Sequence, residues 1–351
     1  MGADAQADGG PGTSGSNDAG PRAHDAGSGP GDRDASVADA RPRDGAGGGG
    51  IPGDGGAGAT DSGASSCPSS PCTLYTGKGV GFPLGIAVDS TRIYIAENQA
   101  GAILALPIGG GAASTLASDP SRPMRVAVDA AAVYWTSQGG SVNSVPLAGG
   151  PVTTIFASAG TASGLALDAS RVYWTLAGQG GSVLSAPLAG GAPTTIATSQ
   201  DDPLYVAVTP HAAYWIDADI YDGPDGGCLM TAPLEGGSPA ALSPWQNLAG
   251  RAVAVDTKSV YWAQAGSIYS RPLDGGSTVT LASGVDLVDM AVDGSHVYWG
   301  DRAANAIMKV SVAGGAPTEV AKSFQLPMYL TLDATTVYWT DFADLVMSAP
   351  K

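Results

Sequence analysis

The chain has 351 residues, 52 of them glycine, and carries 32 acidic against 16 basic side chains for a formal net charge of −16. Nucleic acid and anionic membrane surfaces both select a basic face, so this balance argues against either as partner. No stretch approaches the roughly 20 apolar residues that cross a bilayer.

Residues 1–66 are almost entirely Gly, Ala, Asp, Ser and Pro, with ten Asp, four Arg and no aromatic residue or Leu. Such a segment buries too little apolar surface to offset the entropy of ordering it, so it is expected to be a disordered leader. It would act as a flexible tether. The start, MGADAQADGG, has neither a basic region nor an apolar core and so does not read as a secretory signal. Two locations are consistent with this. One is the cell surface or periplasm, with a lipid anchor supplied by a segment upstream of this Met. The alternative is the cytoplasm.

Cys67 and Cys72 follow in CPSSPC. A small disulfide loop between them suits an oxidising compartment. Without a nearby His they are poor evidence for zinc. Residues 67–351 form the second domain.

Seven copies of one phrase then follow: AVDSTRIYI from Ala87, AVDAAAVYW from Ala127, ALDASRVYW from Ala166, AVTPHAAYW from Ala207, AVDTKSVYW from Ala254, AVDGSHVYW from Ala291 and TLDATTVYW from Thr331. Their third positions are Asp89, Asp129, Asp168, Thr209, Asp256, Asp293 and Asp333, spaced by about 40 residues. That is the length of a four-stranded propeller blade. Within each copy, short β-branched and aromatic runs alternate with Gly- and Pro-rich turns, and no helical periodicity intervenes.

After Trp339 there is room for two strands but not three. The segment from Cys72 to Gly85 aligns with the fourth strand of later repeats. The expectation is therefore an all-β, seven-bladed β-propeller. Its composite last blade is closed by the N-terminal strand, which removes the open edge a linear array would leave.

The string YWTD at Tyr338 to Asp341, with YWID from Tyr214 and YWGD from Tyr298, resembles the repeat of low-density-lipoprotein-receptor-type YWTD propellers. The resemblance spans about 285 residues. It departs from that family in predicting seven blades where the family has six, and in lacking flanking cysteine-rich modules. It implies that the fourth-position carboxylates of Asp217, Asp301 and Asp341 stitch blades together rather than catalyse. A Gly- and Asp-rich leader before such a propeller is similar to bacterial surface lipoproteins.

Function is sought where the repeats disagree. The second-to-third-strand loops and the interblade connections should share one face, and loops on a rigid scaffold carry function. Arg125, Tyr205, Arg251 and Tyr329 stand just before or within the innermost strands. They are expected at the channel mouth as contacts for a protein, peptide or glycan. One loop, Asp217 to Gly227, carries Asp217, Asp219, Asp222 and Asp225 among glycines. Oxygen-rich, Gly-permitted loops suit calcium, but no Glu closes this one, and a solvated acidic loop is the favoured reading. No other cofactor is expected.

Only three His occur, one in the leader and two in turns of the opposite face, so a Ser-His-Asp arrangement or a His-rich metal site does not assemble. The leading reading is a monomeric, non-enzymatic ligand-binding or scaffolding module at the bacterial cell surface. The alternative is a metal-dependent propeller hydrolase or lyase with its site at the central channel.

Overall fold

The structure is a computed structural model and describes residues 70–77, 82–219, 226–247, 251–323 and 325–351. The leader and Cys67 lie outside the described residues. Every described element is a strand.

The N-terminal strand β1 is Cys72–Thr76. Blade 1 is β2 (Pro83–Val88), β3 (Arg92–Glu97), β4 (Ala102–Pro107) and β5 (Ser114–Ser118). Blade 2 is β6 (Pro123–Val128), β7 (Ala132–Ser137), β8 (Ser141–Pro146) and β9 (Thr153–Ala157). Blade 3 is β10 (Thr161–Leu167), β11 (Arg171–Ala177), β12 (Gly181–Pro187) and β13 (Thr194–Gln200). Blade 4 is β14 (Pro203–Val208), β15 (Ala212–Asp219), β16 (Gly226–Pro233) and two short outer pieces, β17 (Ala240–Ala241) and β18 (Gln246–Asn247). Blade 5 is β19 (Ala252–Val255), β20 (Ser259–Gln264), β21 (Ser267–Pro272) and β22 (Val279–Ser283). Blade 6 is β23 (Leu287–Val292), β24 (His296–Asp301), β25 (Ala306–Ser311) and β26 (Thr318–Lys322). Blade 7 is β27 (Pro327–Leu332), β28 (Thr336–Asp341) and β29 (Leu345–Pro350), with β1 as its outer strand.

The predicted splice is therefore present: β1 pairs antiparallel with β29, Cys72 opposite Ser348. Each innermost strand touches that of the next blade all the way round, from β2 to β27 and back to β2. The ring is closed, and the edge of each innermost strand is flanked by its neighbours rather than left open.

The repeated phrase builds this ring in two ways. The Trp of six copies, from Trp135 to Trp339, is at most 1% exposed and fills the space between blades. The Asp closes the first-to-second-strand turn of its own blade. Asp168 Oδ1 accepts from the amides of Ser170 and Arg171, and its Oδ2 accepts from the Tyr173 hydroxyl at 2.5 Å. Asp89, Asp129, Asp256 and Asp333 repeat that pattern with Tyr94, Tyr134, Tyr261 and Tyr338. This is an Asx turn reinforced by a phenol.

Links between blades fall to the residues that follow Trp. Thr136 Oγ1 donates to the Ser163 carbonyl in the next blade. Thr340 Oγ1 donates to the Leu84 carbonyl and so bonds blade 7 to blade 1. Asp341 Oδ2 accepts from Ser323 Oγ and the Gln325 amide in the connection from blade 6. Asp217 accepts from the Asp201 amide in the connection from blade 3. The stitching role implied for the fourth-position Asp is thus visible at Asp217 and Asp341. At Asp301 the carboxylate stays within its own blade, bonded to Trp299 Nε1 and the Ala304 amide.

Candidate ligand site at the central channel

In six of the seven blades the pairing of the first two strands is interrupted by a bulge at one place. A bulge re-aims the side chain it carries. The residue four before the repeated Asp (or Thr209) sits at or beside it, giving Gly85, Arg125, Gly164, Tyr205, Asp289 and Tyr329, with Ala252 as the equivalent residue of the regularly paired blade 5.

The small residues of this set let neighbouring strands close up. A Cβ on Gly85 would lie 2.5 Å from the Met124 carbonyl oxygen, and one on Gly164 would lie 2.8 Å from the Val206 nitrogen.

The large ones meet one another. The Arg125 guanidinium lies 4.4 Å from the centroid of the Tyr205 ring and 4.2 Å from that of Tyr329. Its Nη1 is 3.5 Å from Asp289 Oδ1. These residues belong to blades 2, 4, 6 and 7, and non-adjacent blades of a ring touch only across its axis. The cluster therefore spans the central channel. The Arg125 and Asp289 side chains are 17% and 15% exposed, so one side of it remains open to solvent.

Burial alone would lower the Arg125 pKa, but Asp289 and the two tyrosines outweigh it and the net shift is upward. Burial pushes the Tyr205 hydroxyl above its ordinary value. Tyr205 reaches the axis at a conformational cost: its φ is +42°, left-handed for a non-glycine residue.

Three of the four predicted ligand residues, Arg125, Tyr205 and Tyr329, are thus brought together. The fourth, Arg251, precedes β19, and its charge acts on Tyr205 and on Asp202. Asp289 completes the cluster and is not among the four residues expected to contact ligand. Its signal is in the sequence: aligning the repeats on their Asp places Asp289 in the same column as Arg125, Tyr205 and Tyr329.

The second-to-third loops and the interblade connections do share one face. Gln138 N donates to the Arg122 carbonyl, Arg302 N to Asp286 and Phe342 N to Leu326. Each bond ties a loop to the connection that enters its own blade.

Of the acidic-loop residues, Asp222 and Asp225 lie outside the described residues, and Asp219 ends β15. Asp217 is buried, and that burial, together with Asp201 and Asp202, pushes its carboxyl up to about 6 although the Asp201 amide pulls it down. Among the described residues no three His, Cys, Asp or Glu side chains group to hold a metal ion. Cys72 is disulfide-bonded, and Cys228 is a buried free thiol.

Glu97 occupies the fourth position of its copy, which reads YIAE. It is 2% exposed, and among the described residues neither carboxylate oxygen has a hydrogen bond of good geometry, although the Tyr75 hydroxyl lies close enough to act on it. Burial, then Asp344, raise its pKa to about 7, more than the Tyr75 hydroxyl lowers it.

No protein-family model and no curated protein matches the chain. Solved structures do. A catalytically inactive virginiamycin B lyase from Staphylococcus aureus, crystallised with quinupristin, superposes with a TM-score of 0.66 at 11% identity, covering 80% of this chain and 99% of that one. BamB from Moraxella catarrhalis gives 0.53 at 17% identity over 77% and 84%. A nidogen/laminin complex gives 0.51 at 21% over 64% and 90%. The shared property is the fold: this chain is a seven-bladed β-propeller.

Proposed function

We propose that this protein is a non-enzymatic ligand-binding or scaffolding propeller of the YWTD-like kind, displayed at the bacterial cell surface. It binds a protein, peptide or glycan through the face formed by the second-to-third-strand loops and the interblade connections. The observation that carries this reading is the division of labour among residues. Those that recur serve turns and blade packing, whereas those that differ between copies gather at the axis as Arg125, Tyr205, Tyr329 and Asp289. Rigidly held Arg and Tyr are the residue types that dominate recognition surfaces. The nidogen/laminin complex and BamB lend the reading support at the level of fold alone.

The test is a peptide and glycan array probed with the full chain, followed by titration of each hit against Arg251→Ala. Saturable binding that weakens about tenfold in the variant supports the proposal. No binding to either array, combined with a stoichiometric divalent ion in the purified protein, would transfer support to the metal-dependent hydrolase or lyase.

A further inference from the structure

The fourth blade breaks the repeat twice on the face opposite the channel-mouth loops. Thr209 replaces the turn Asp. Its hydroxyl still accepts from the Ala212 amide at 3.1 Å, but it is too short to reach the phenol that Asp engages elsewhere. The Tyr214 hydroxyl therefore has no hydrogen-bond partner among the described residues. The outer strand is also cut short. β17 has two residues where the outer strands of the other blades have five to seven. Past it the pairing runs only one residue further, the Leu242 amide donating to the Leu229 carbonyl at 2.7 Å.

Next to these departures a cleft of about 210 Å³ lies between blades 4 and 5. Its walls include Leu242, Val260 and Leu273. Tyr214 and Arg271 also line it. Arg271 makes a single contact at the limit of hydrogen-bond length, 3.5 Å from Nη1 to the Leu242 carbonyl, and no carboxylate pairs with it among the described residues. Thr231 contributes no free donor, since its hydroxyl donates to the Ala213 carbonyl.

We propose that this cleft is a binding site for a small carboxylate with a ring-sized apolar body. An apolar cavity of about 150 Å³ accommodates benzene, so this volume takes one ring with one substituent. Arg271 supplies a charge-assisted bond to the carboxylate. The Tyr214 hydroxyl supplies a second bond, and the aliphatic walls cover the ring. The site is independent of the channel cluster and of the function proposed for it.

The probes are benzoate and its uncharged isostere benzamide, titrated into the isotopically labelled full chain and followed by amide chemical shifts. Saturable benzoate shifts are expected at Leu242, Val260 and the turn from Arg271 to Gly275. Arg271→Gln should weaken benzoate about tenfold and leave benzamide unchanged. Tyr214→Phe, which keeps the ring, should weaken both about threefold to fivefold. The proposal is overturned if benzoate produces no saturable shifts there, if benzamide binds the parent as well as benzoate does, or if Arg271→Gln binds benzoate like the parent while retaining native spectra.

Discussion

Arg125 of the second blade and Asp289 of the sixth meet across the channel, 3.5 Å apart, with the guanidinium held between two tyrosine rings. Four strands that are remote in sequence must be in place before this contact exists. It therefore reports on the whole ring.

Removing one member of this pair leaves the other charge poorly solvated. Asp289→Ala is expected to lower stability by about 3 kcal/mol, read from urea denaturation midpoints. It also removes the acceptor that the Leu330 amide uses. The double variant Arg125→Met/Asp289→Ala should cost clearly less than the sum of the two single changes, because the uncompensated charge is gone. Additive single effects would show that the pair is not coupled.

Stability should pass through a maximum between about pH 4 and about pH 5. Glu97 and Asp217 have folded pKa values of about 7 and about 6, above those of the unfolded chain. They oppose folding at neutral pH, and that penalty is relieved as pH falls through those values toward about 4. Asp89, Asp168, Asp293 and Asp333 are shifted the other way. Burial would raise them, but turn amides and neighbouring hydroxyls outweigh it and the net shift is downward. Their contribution is present above about pH 4 and is lost below it. Thermal melts from about pH 3 to about 8 should show both limbs, and Glu97→Gln should flatten the upper one.

Thr209→Asp restores the residue that the other six copies carry. It should give Tyr214 a partner and raise stability by about 1 kcal/mol. The reverse change in a regular copy, Asp168→Thr, should lose a similar amount or more. A lowered melting temperature for Thr209→Asp would mean that the fourth blade cannot adopt the common turn.

Gly164→Ala should be costly although it adds only a methyl group. The new Cβ would sit within 3.0 Å of the Tyr205 carbonyl carbon and closer still to the Val206 nitrogen, so the first strands of blades 3 and 4 would be forced apart. A loss of about 2 kcal/mol is expected. Calorimetry checks it, with Gly109→Ala as control, since a Cβ there meets nothing within 4 Å.

The ring, its blade count and its seam are legible in the sequence because each rests on local pattern: a fixed period, alternating runs and turn residues. The channel cluster is legible only in part. Arg125, Tyr205 and Tyr329 stand out as large residues, but that they converge depends on bulges and ring closure, which pairwise spacing does not reveal. Asp289 reads as one more acidic connection residue until the ring puts it opposite Arg125. The cleft at Tyr214 is harder still. The sequence shows that Thr209 is irregular, but the cleft exists only once blade 5 is packed against blade 4.

The seam has a kinetic consequence. β1 must wait for β29, which lies almost the full length of the propeller away, before blade 7 gains its outer strand. During synthesis β1 emerges early and its partner late, so the chain spends that interval with an unpaired strand at one end. Contacts of such separation slow folding, and unpaired strands invite pairing between molecules. Once the seam shuts, the same separation works in reverse, since blade 7 cannot leave the ring without first parting β1 from β29.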